Sequence, residues 1–153
     1  MITEEEKSKL LGELGEGIIA EHFQNLGCDV RKSWDPLDST KDMTIDGKTI
    51  EVKTQIPLIK NNSLTMKKTQ LKKCRSVDRL FFVTCPYNLR IGSCENAYII
   101  EAIPDQFKFY IRMLENRAMA IIDRRQPAVK IIATITDKDK LNRLNELTST
   151  TWT

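Results

Sequence analysis

The sequence predicts one α/β domain, built on a central mixed β-sheet with helices on its faces. Three observations favour this fold class. The length of 153 residues suits one compact domain. Helical and strand-like periodicities follow one another in the order helix, strand, hairpin, helix, strand. Hydrophobic residues make up 41% and charged residues 29% of the chain, which is typical of a globular protein and argues against disorder.

The first predicted element is a helix over residues 3–26. Thr3 and Glu6 match the capping-box pattern at its start. Apolar residues then recur at the spacing that places them on one face of a helix, from Leu11 to Leu26. The pattern therefore indicates an amphipathic helix that packs against the sheet.

Three glycines refine this prediction. Gly27 marks the end of the helix, because glycine readily adopts the left-handed conformation that closes many helices. Gly12 and Gly15 weaken the helix but would let another backbone approach it closely. A short strand at residues 28–32 is expected next, followed by a polar loop at residues 33–40.

A β-hairpin is predicted with strands at residues 42–45 and 48–54. Its turn is Asp46-Gly47, and Asp-Gly between alternating residues is a strong hairpin signal. With this turn, Asp42 lies directly opposite Glu51, and Lys53 shares their face of the sheet. The polar face also carries Thr44 and Thr49, whereas the apolar face consists of Met43, Ile45, Ile50 and Val52.

The remaining elements continue the alternation of helices and strands. Residues 56–64 are predicted to form a loop, and residues 66–75 a basic helix. The continuous apolar run Leu80–Val83 is typical of a strand covered on both faces. The other predicted elements are strands at 97–103, 118–123 and 129–135, a helix marked by Phe107, Tyr110, Ile111 and Leu114, and a last helix that Thr136 and Asp139 would cap and that carries Leu141, Leu144 and Leu147.

The facing carboxylates Asp42 and Glu51 need a compensating charge. Two unit charges about 5 Å apart repel by roughly 3 kcal/mol at an effective dielectric constant near 20. Lys53 offsets part of this repulsion, and a divalent cation bridging both carboxylates would offset more. Hard cations such as Mg²⁺ favour one or two carboxylates together with water and phosphate oxygens. The alternative is a hairpin whose polar face simply meets water.

Asp42, eight intervening residues and then Glu51-Val52-Lys53 on the next strand resemble the PD-(D/E)xK nuclease superfamily, which includes restriction endonucleases and Holliday-junction resolvases. The resemblance covers residues 3–84 and implies a restriction-endonuclease-like core in the order α-β-β-β-α-β. Residues 85–148 would then be strand and helix additions within the same single domain, 1–153.

The resemblance also implies an active site. Asp42 and Glu51 would hold Mg²⁺, with Mn²⁺ as a substitute, helped by the Val52 carbonyl. Lys53 would orient or activate the attacking water. Glu16 on the first helix would assist, with Glu13 as the second choice for this role. Gln55 would contact metal-bound water or DNA, or else be an ordinary surface glutamine.

The sequence departs from the family pattern at one position. The proline that names the motif does not precede Asp42, because Lys41 stands there. Pro36 follows Asp35 instead. This leaves Asp35 or Asp38 as an alternative metal ligand, although both would lie outside the pairing of the hairpin.

The expected substrate is DNA. The net charge of +3 does not by itself demand nucleic acid, but basic residues crowd the helix that follows the hairpin, where lysines would bind phosphates. The predicted DNA contacts are Lys67, Lys68, Gln70, Lys72 and Lys73, with a second phosphate site at Arg124 and Arg125. The chain would act as an endonuclease, or else as a structure-specific junction resolvase or an exonuclease of the same superfamily. To cut both strands it would act as a homodimer. Trp34 would stack on a base or wedge a DNA groove, or else pack against the sheet edge. The loop Lys60–Ser63 would enter a groove, or else simply connect two elements.

The cysteines point away from metal clusters. Cys28, Cys74, Cys85 and Cys94 form no Cys-x-x-Cys pair, and His22 is the only histidine, so neither zinc nor an iron–sulfur cluster is expected. Free thiols in a reducing cytoplasm are the expectation, with no membrane association. Two other classes of function stay open, namely a non-catalytic DNA-binding module with this fold and a protein-interaction domain.

Overall fold

The computed structural model describes residues 2–32, 42–55, 63–85, 87–88, 93–94 and 96–148. The helices are α1 (Glu4–Asn25), α2 (Leu71–Ser76) and α3 (Lys138–Thr148), and a 3₁₀ turn, Lys68–Gln70, leads into α2. The strands are β1 (Val30–Lys32), β2 (Met43–Ile45), β3 (Lys48–Gln55), β4 (Ser63–Lys67), β5 (Arg79–Thr84), β6 (Tyr87–Asn88), β7 (Ser93–Cys94), β8 (Ala97–Ala102), β9 (Tyr110–Leu114), β10 (Arg117–Asp123) and β11 (Val129–Ile135).

The central feature is a six-stranded mixed sheet in the order β1-β2-β3-β5-β8-β11. Strands β3 and β5 run parallel, and the other neighbours run antiparallel. A parallel pair needs a crossover connection, and β4, the 3₁₀ turn and α2 provide it. The predicted α/β class with a mixed sheet and flanking helices is therefore confirmed.

Two hydrophobic cores lie on opposite faces of this sheet. One core joins α1 and α3 to the sheet through residues such as Ile19, Phe23 and Leu144. The other joins α2 and a second, three-stranded sheet, β4-β10-β9, through residues such as Cys74 and Phe82. Strands β5 and β8 contribute to both cores, whereas the apolar residues Ile50 and Val52 of β3 lie in the core beneath α1.

Helix α1 has the predicted features at both of its ends. The Thr3 hydroxyl accepts from the Glu6 amide at 3.1 Å, and the Glu6 carboxylate accepts from the Thr3 amide at 3.2 Å, which completes the capping box. Gly27 has a φ of 86° just after the helix, as its position predicts. A Cβ atom on Gly15 would collide with Thr54 of β3, so the glycine makes room for a side chain of the sheet and not for the predicted backbone, and nothing lies within 4 Å of Gly12.

The hairpin register is also as predicted. Ile45 pairs with Lys48, Thr44 with Thr49, and Met43 with Ile50. Asp46 and Gly47 both have positive φ, 50° and 80°, which the two-residue turn requires. The apolar face, Met43, Ile45, Ile50 and Val52, is buried in the core beneath α1.

The segment after the hairpin contains a strand that the sequence analysis missed. Met66 and Lys67 belong to β4 and not to the predicted helix, which is limited to Leu71–Ser76. Residues 63 and 64, expected in a loop, also belong to this strand. Leu64 and Met66 alternate with polar neighbours and bury against β10, so pairing with a distant strand outweighs the local helical propensity.

The predicted helix around residues 107–114 is wrong. Tyr110–Leu114 forms β9, which pairs with β10 through a tight turn at Glu115 and Asn116. Both turn residues have positive φ, 49° and 65°, as a hairpin of this kind requires. Phe107 is buried before the strand begins. Strand pairing therefore determines the secondary structure of a segment whose apolar spacing fits a helix equally well.

Three smaller points complete the comparison. The strands predicted near 97–103, 118–123 and 129–135 are present as β8, β10 and β11. Helix α3 is present, but Asp137 caps it, accepting from the Lys140 amide at 3.0 Å, in place of Thr136. Asp137 stands directly before the helix, the position from which a side-chain oxygen reaches the free amide three residues further along.

The expectation of free thiols is wrong for Cys85, which is disulfide-bonded, whereas Cys28 and Cys74 are free. Tyr87–Asn88 pairs with Ser93–Cys94, so the chain turns back on itself just after Cys85. The spacing of the cysteines in the sequence does not reveal this turn.

Among the described residues, no helix combines the length and apolar character that crossing a membrane requires. Trp34, Asp35, Pro36, Asp38, Lys41 and residues 60–62 lie outside the described part of the chain.

Candidate active site

Glu51 is the buried centre of the candidate site. Its side chain is only 1% exposed, although it lies on the polar face of the hairpin. It neighbours Leu80 of the parallel strand β5, and α2 packs over this face of the sheet. The alternative of a polar face that simply meets water is therefore wrong for Glu51. Burying a carboxylate is costly unless charges or hydrogen bonds compensate it.

Asp42 lies just outside β2, where the chain bends. Its amide donates to the Ile50 carbonyl at 2.8 Å, and its Oδ2 accepts from the Val52 amide at 2.8 Å. These two bonds fix the carboxylate beside Glu51, as the register predicts. With 18% of its side chain exposed, Asp42 connects the buried centre to the surface.

Glu16 completes a group of three carboxyl side chains. It lies on α1 next to Gly15, whose missing side chain lets the helix approach Thr54 of β3. Burial raises the pKa of Glu16 to about 7, and the nearby Asp42 carboxylate adds to this rise. Glu13, the second choice from the sequence, is exposed. The structure thus brings Glu16, and not Glu13, to Asp42.

The pKa of Glu51 is raised for similar reasons. Burial raises its pKa to about 7, and so do a hydrogen bond with Asp42 and the negative charge of Asp42. Lys53 and Lys73 act in the opposite direction but do not cancel the rise. Three carboxyl groups therefore share a region in which full ionisation is unfavourable unless further positive charge is supplied.

Lys53 lies at the edge of this group. Its Nζ is 3.6 Å from Glu51 Oε2 and donates to Gln70 Oε1 at 3.1 Å. Gln70 was predicted as a DNA contact, but in the structure it orients Lys53 from the start of α2. The amine is thus held between the buried carboxylate and a fixed amide oxygen.

Lys73 is closer to the carboxylates than Lys53 is. Its Nζ lies 3.0 Å from Glu51 Oε2 and 4.0 Å from Asp42 Oδ1. Burial alone would lower the pKa of Lys73, but the contact with the Glu51 carboxylate and its negative charge raise it instead. Lys73 was predicted to contact DNA. The structure places it within the carboxylate cluster, the group formed by Glu16, Asp42 and Glu51.

The donor set fits a hard divalent cation in one respect. Glu51 Oε2 is buried, and although two ammonium groups lie near it, it accepts no hydrogen bond of acceptable geometry. Asp42 and Glu51 supply the two carboxylates that Mg²⁺ commonly uses. Across the ranges that the structure describes, however, no three His, Cys, Asp or Glu side chains are already arranged to hold a metal ion.

Gln55 is engaged elsewhere. Its Nε2 donates to the Thr65 carbonyl at 2.7 Å, and its Oε1 accepts from the Thr65 amide at 2.7 Å. The side chain thus acts like a short strand that joins the end of β3 to β4. This arrangement indicates a structural role, because both ends of the amide are already paired.

The other predicted DNA contacts divide into two sets. Lys67, Lys68 and Lys72 are exposed on the segment that carries Gln70 and Lys73 into the site. Arg125 instead forms a bidentate ion pair with Asp123, at 2.7 and 2.9 Å. No hydrogen bond or ion pair within the described ranges joins Arg124 or Arg125 to the carboxylate cluster.

Sequence reasoning placed Asp42, Glu51 and Lys53 correctly relative to one another but did not foresee the contacts that Gln70 and Lys73 make with them. Gln70 and Lys73 were recognised only as part of a basic run. Their spacing of three places both on one face of a helical segment, which is the signal that could have separated them from the exposed Lys68 and Lys72. That signal becomes useful only once the segment is known to pack over Glu51.

Comparisons with known proteins add no assignment. Neither the known protein-family models nor the curated proteins contain a match to this chain.

Proposed function

We propose that the protein is a Mg²⁺-dependent nuclease that hydrolyses DNA phosphodiester bonds as an endonuclease. The observation that carries the proposal is the buried Glu51 carboxylate, which faces Asp42 and lies beside two ammonium groups. A purely structural hairpin has no use for an acidic group that is 1% exposed. The PD-(D/E)xK resemblance of the same residues supports this reading.

The residues have separate roles in the proposed reaction. Asp42 and Glu51 would hold the cation, which supplies Lewis-acid stabilisation of the phosphate and a more acidic water. Lys53, oriented by Gln70, provides a fixed positive charge where negative charge develops on the phosphate. Glu16, whose pKa is raised to about 7, can accept a proton near neutral pH from a group beside Asp42.

The surroundings of the site suit a polyanionic substrate. Lys67, Lys68 and Lys72 are exposed on the segment that also carries Gln70 and Lys73. Lysines in such positions bind phosphates without reading sequence, so affinity should fall steeply with salt. These contacts would position DNA over Asp42 and Lys53.

The proposal is tested by incubating supercoiled plasmid and a four-way DNA junction with the protein and Mg²⁺. Wild type should cut at least one substrate, whereas Asp42→Ala and Lys53→Ala should reduce the rate by two orders of magnitude or more. Lys130→Ala, which removes an exposed lysine from β11, should cut like wild type. Equal rates for Lys53→Ala and Lys130→Ala would contradict the proposed site.

A second candidate is a non-catalytic DNA-binding module. The observation that favours it is Lys73, whose ammonium already neutralises Glu51 at 3.0 Å and so could serve as a permanent substitute for a metal. Such a module would bind the plasmid and junction at low salt but would leave both intact with Mg²⁺ and with Mn²⁺.

A homodimer remains part of the proposal, because one active site cuts one strand at a time. Gel filtration of the protein bound to a short duplex should then show two copies per DNA. A complex containing one 17.6 kDa chain would count against concerted double-strand cleavage.

A further inference from the structure

Lys73 takes the position between the two carboxylates that a bound cation would need. It lies 3.0 Å from Glu51 Oε2 and 4.0 Å from Asp42 Oδ1, so its ammonium contacts both members of the pair. Lys53 lies 3.6 Å from the same Glu51 oxygen but also donates to Gln70. Of these two lysines, Lys73 is therefore the closer counter-ion of Glu51.

The placement of Lys73 follows from how α2 packs. Cys74, the next residue, is fully buried in the core beneath the second sheet, which fixes the rotation of this short helix. That rotation turns Lys73 towards Glu51 and leaves the preceding Lys72 exposed. The side chain of Lys73 is 22% exposed, so its charge lies largely within the protein.

We propose that Lys73 is the resident counter-ion of the Asp42–Glu51 pair and that a divalent cation binds there only by displacing its ammonium group. This inference rests on the proposed metal site. The physical reason is that two ammonium groups already lie 3.6 and 3.0 Å from Glu51 Oε2, so a divalent cation added there would be repelled most strongly by the closer one, Lys73. The flexible four-carbon stem of lysine can withdraw the ammonium towards solvent, where it becomes available to a phosphate.

Two consequences separate this role from ordinary surface charge. Without metal, Lys73 stabilises the folded protein by compensating Glu51. With metal, Lys73 weakens cation binding, because its interaction with Glu51 must first be broken. A lysine that served only to contact DNA would have neither effect.

The first test is a double-mutant cycle at pH 8 without divalent ions, read by thermal unfolding. Lys73→Met should lower the melting temperature by roughly 5–10 °C, since it leaves a buried carboxylate without its partner. Adding Glu51→Gln to that variant should recover much of the loss, and Lys72→Met should have little effect. Additive effects of Lys73→Met and Glu51→Gln would overturn the counter-ion role.

The second test is calorimetric titration of the same proteins with Mn²⁺ at pH 8. Lys73→Met should bind the ion about tenfold or more tightly than wild type, because the ion then does not have to break the Lys73–Glu51 contact. Lys72→Met should bind like wild type. Equal or weaker binding by Lys73→Met would overturn the displacement.

The outcomes distinguish this inference from the proposed nuclease. Tighter Mn²⁺ binding by Lys73→Met with no DNA cleavage by wild type would support the displacement and contradict the nuclease. Mg²⁺-dependent cleavage by wild type with unchanged Mn²⁺ affinity in Lys73→Met would support the nuclease and overturn the displacement. Failure of wild type and Lys73→Met to bind Mn²⁺ would overturn the displacement, together with the metal site on which it rests.

Discussion

Gly15 of α1 and Thr54 of β3 approach so closely that a Cβ atom on Gly15 would lie 1.7 Å from Thr54 Oγ1 and 2.9 Å from Thr54 Cβ. Rotation of the threonine side chain cannot relieve the second contact, because Cβ does not move with χ1. The contact fixes α1 against the strand that carries Glu51 and Lys53, and Glu16 follows Gly15 directly. A packing requirement therefore positions one of the three carboxyl groups.

Gly15→Ala should destabilise the protein by about 1–3 kcal/mol, because the helix must move away from β3 to make room. It should also slow Mg²⁺-dependent cleavage, since Glu16 moves with the helix. Gly12→Ala is the matched control, with nothing within 4 Å of its Cβ. That variant should be neutral or stabilised by up to about 1 kcal/mol through helix propensity. Unfolding in urea gives the free energy of unfolding of each variant. Equal values for Gly15→Ala and Gly12→Ala would show that the approach of Thr54 to Gly15 does not matter for stability.

The stability of the metal-free protein should depend on Glu16 near neutral pH. The pKa of Glu16 is raised from 4.5 to about 7 in the folded state, so the folded protein binds a proton that the unfolded chain releases. Stability from this group is complete below pH 4.5 and is lost as the pH rises to about 7. The loss is on the order of 1–3 kcal/mol.

Glu16→Gln removes this titration and should flatten the fall in stability between pH 4.5 and 7. The measurement is the difference in unfolding free energy between the variant and wild type at several pH values in EDTA, which cancels the contribution of other groups. A difference that stays constant across this range would show that Glu16 does not titrate there. Mg²⁺ added at pH 8 should recover stability in wild type if the cation compensates the carboxylates.

The hydrogen bond from the Val52 amide to Asp42 Oδ2 gives Asp42 a structural role besides its charge. Asp42→Asn keeps an oxygen acceptor, whereas Asp42→Ala leaves the amide without a partner. We expect Asp42→Ala to be less stable than Asp42→Asn by about 1 kcal/mol. Both should lose Mg²⁺-dependent cleavage, because both lack the charge. Calorimetric unfolding compares the two, and cleavage by Asp42→Asn at the wild-type rate would exclude Asp42 as a metal ligand.

Gln55 should behave as a structural residue. Gln55→Ala leaves both the Thr65 amide and the Thr65 carbonyl without their partner, at a cost of about 1–3 kcal/mol. Its affinity for Mn²⁺ should equal that of wild type. A stable Gln55→Ala variant with weakened Mn²⁺ binding would instead support the role that the family resemblance implies.

The hairpin shows how much of the site the sequence contains. Asp46-Gly47 determines the turn, and the alternation of Met43, Ile45 and Ile50 determines which face is buried. Together they define the register, so the proximity of Asp42, Glu51 and Lys53 follows from local chemistry. The turn and the alternating residues all lie within the 12 residues 42–53, and the folded structure keeps the arrangement that they predict.

The remaining parts of the site depend on contacts between distant segments. Lys73 and Lys72 are alike in the sequence, and only the packing of α2 over Glu51 separates the counter-ion from the exposed lysine. Gln55 pairs with Thr65 because β4 forms, and β4 forms because β10 lies beside it. The helix expected near Tyr110 fails for the same reason, since β9 satisfies its backbone through pairing with β10.

The proposed nuclease requires Glu51 as a ligand of its metal ion. This requirement is tested most directly by single-turnover cleavage of DNA with Mg²⁺ by wild type and by Glu51→Gln, which preserves size while removing the charge. Circular dichroism and DNA affinity in EDTA would confirm that the variant folds and binds. Glu51→Gln should bind DNA like wild type but cut it at least about a hundredfold more slowly. Equal cleavage rates for the two proteins would exclude Glu51 as the metal ligand.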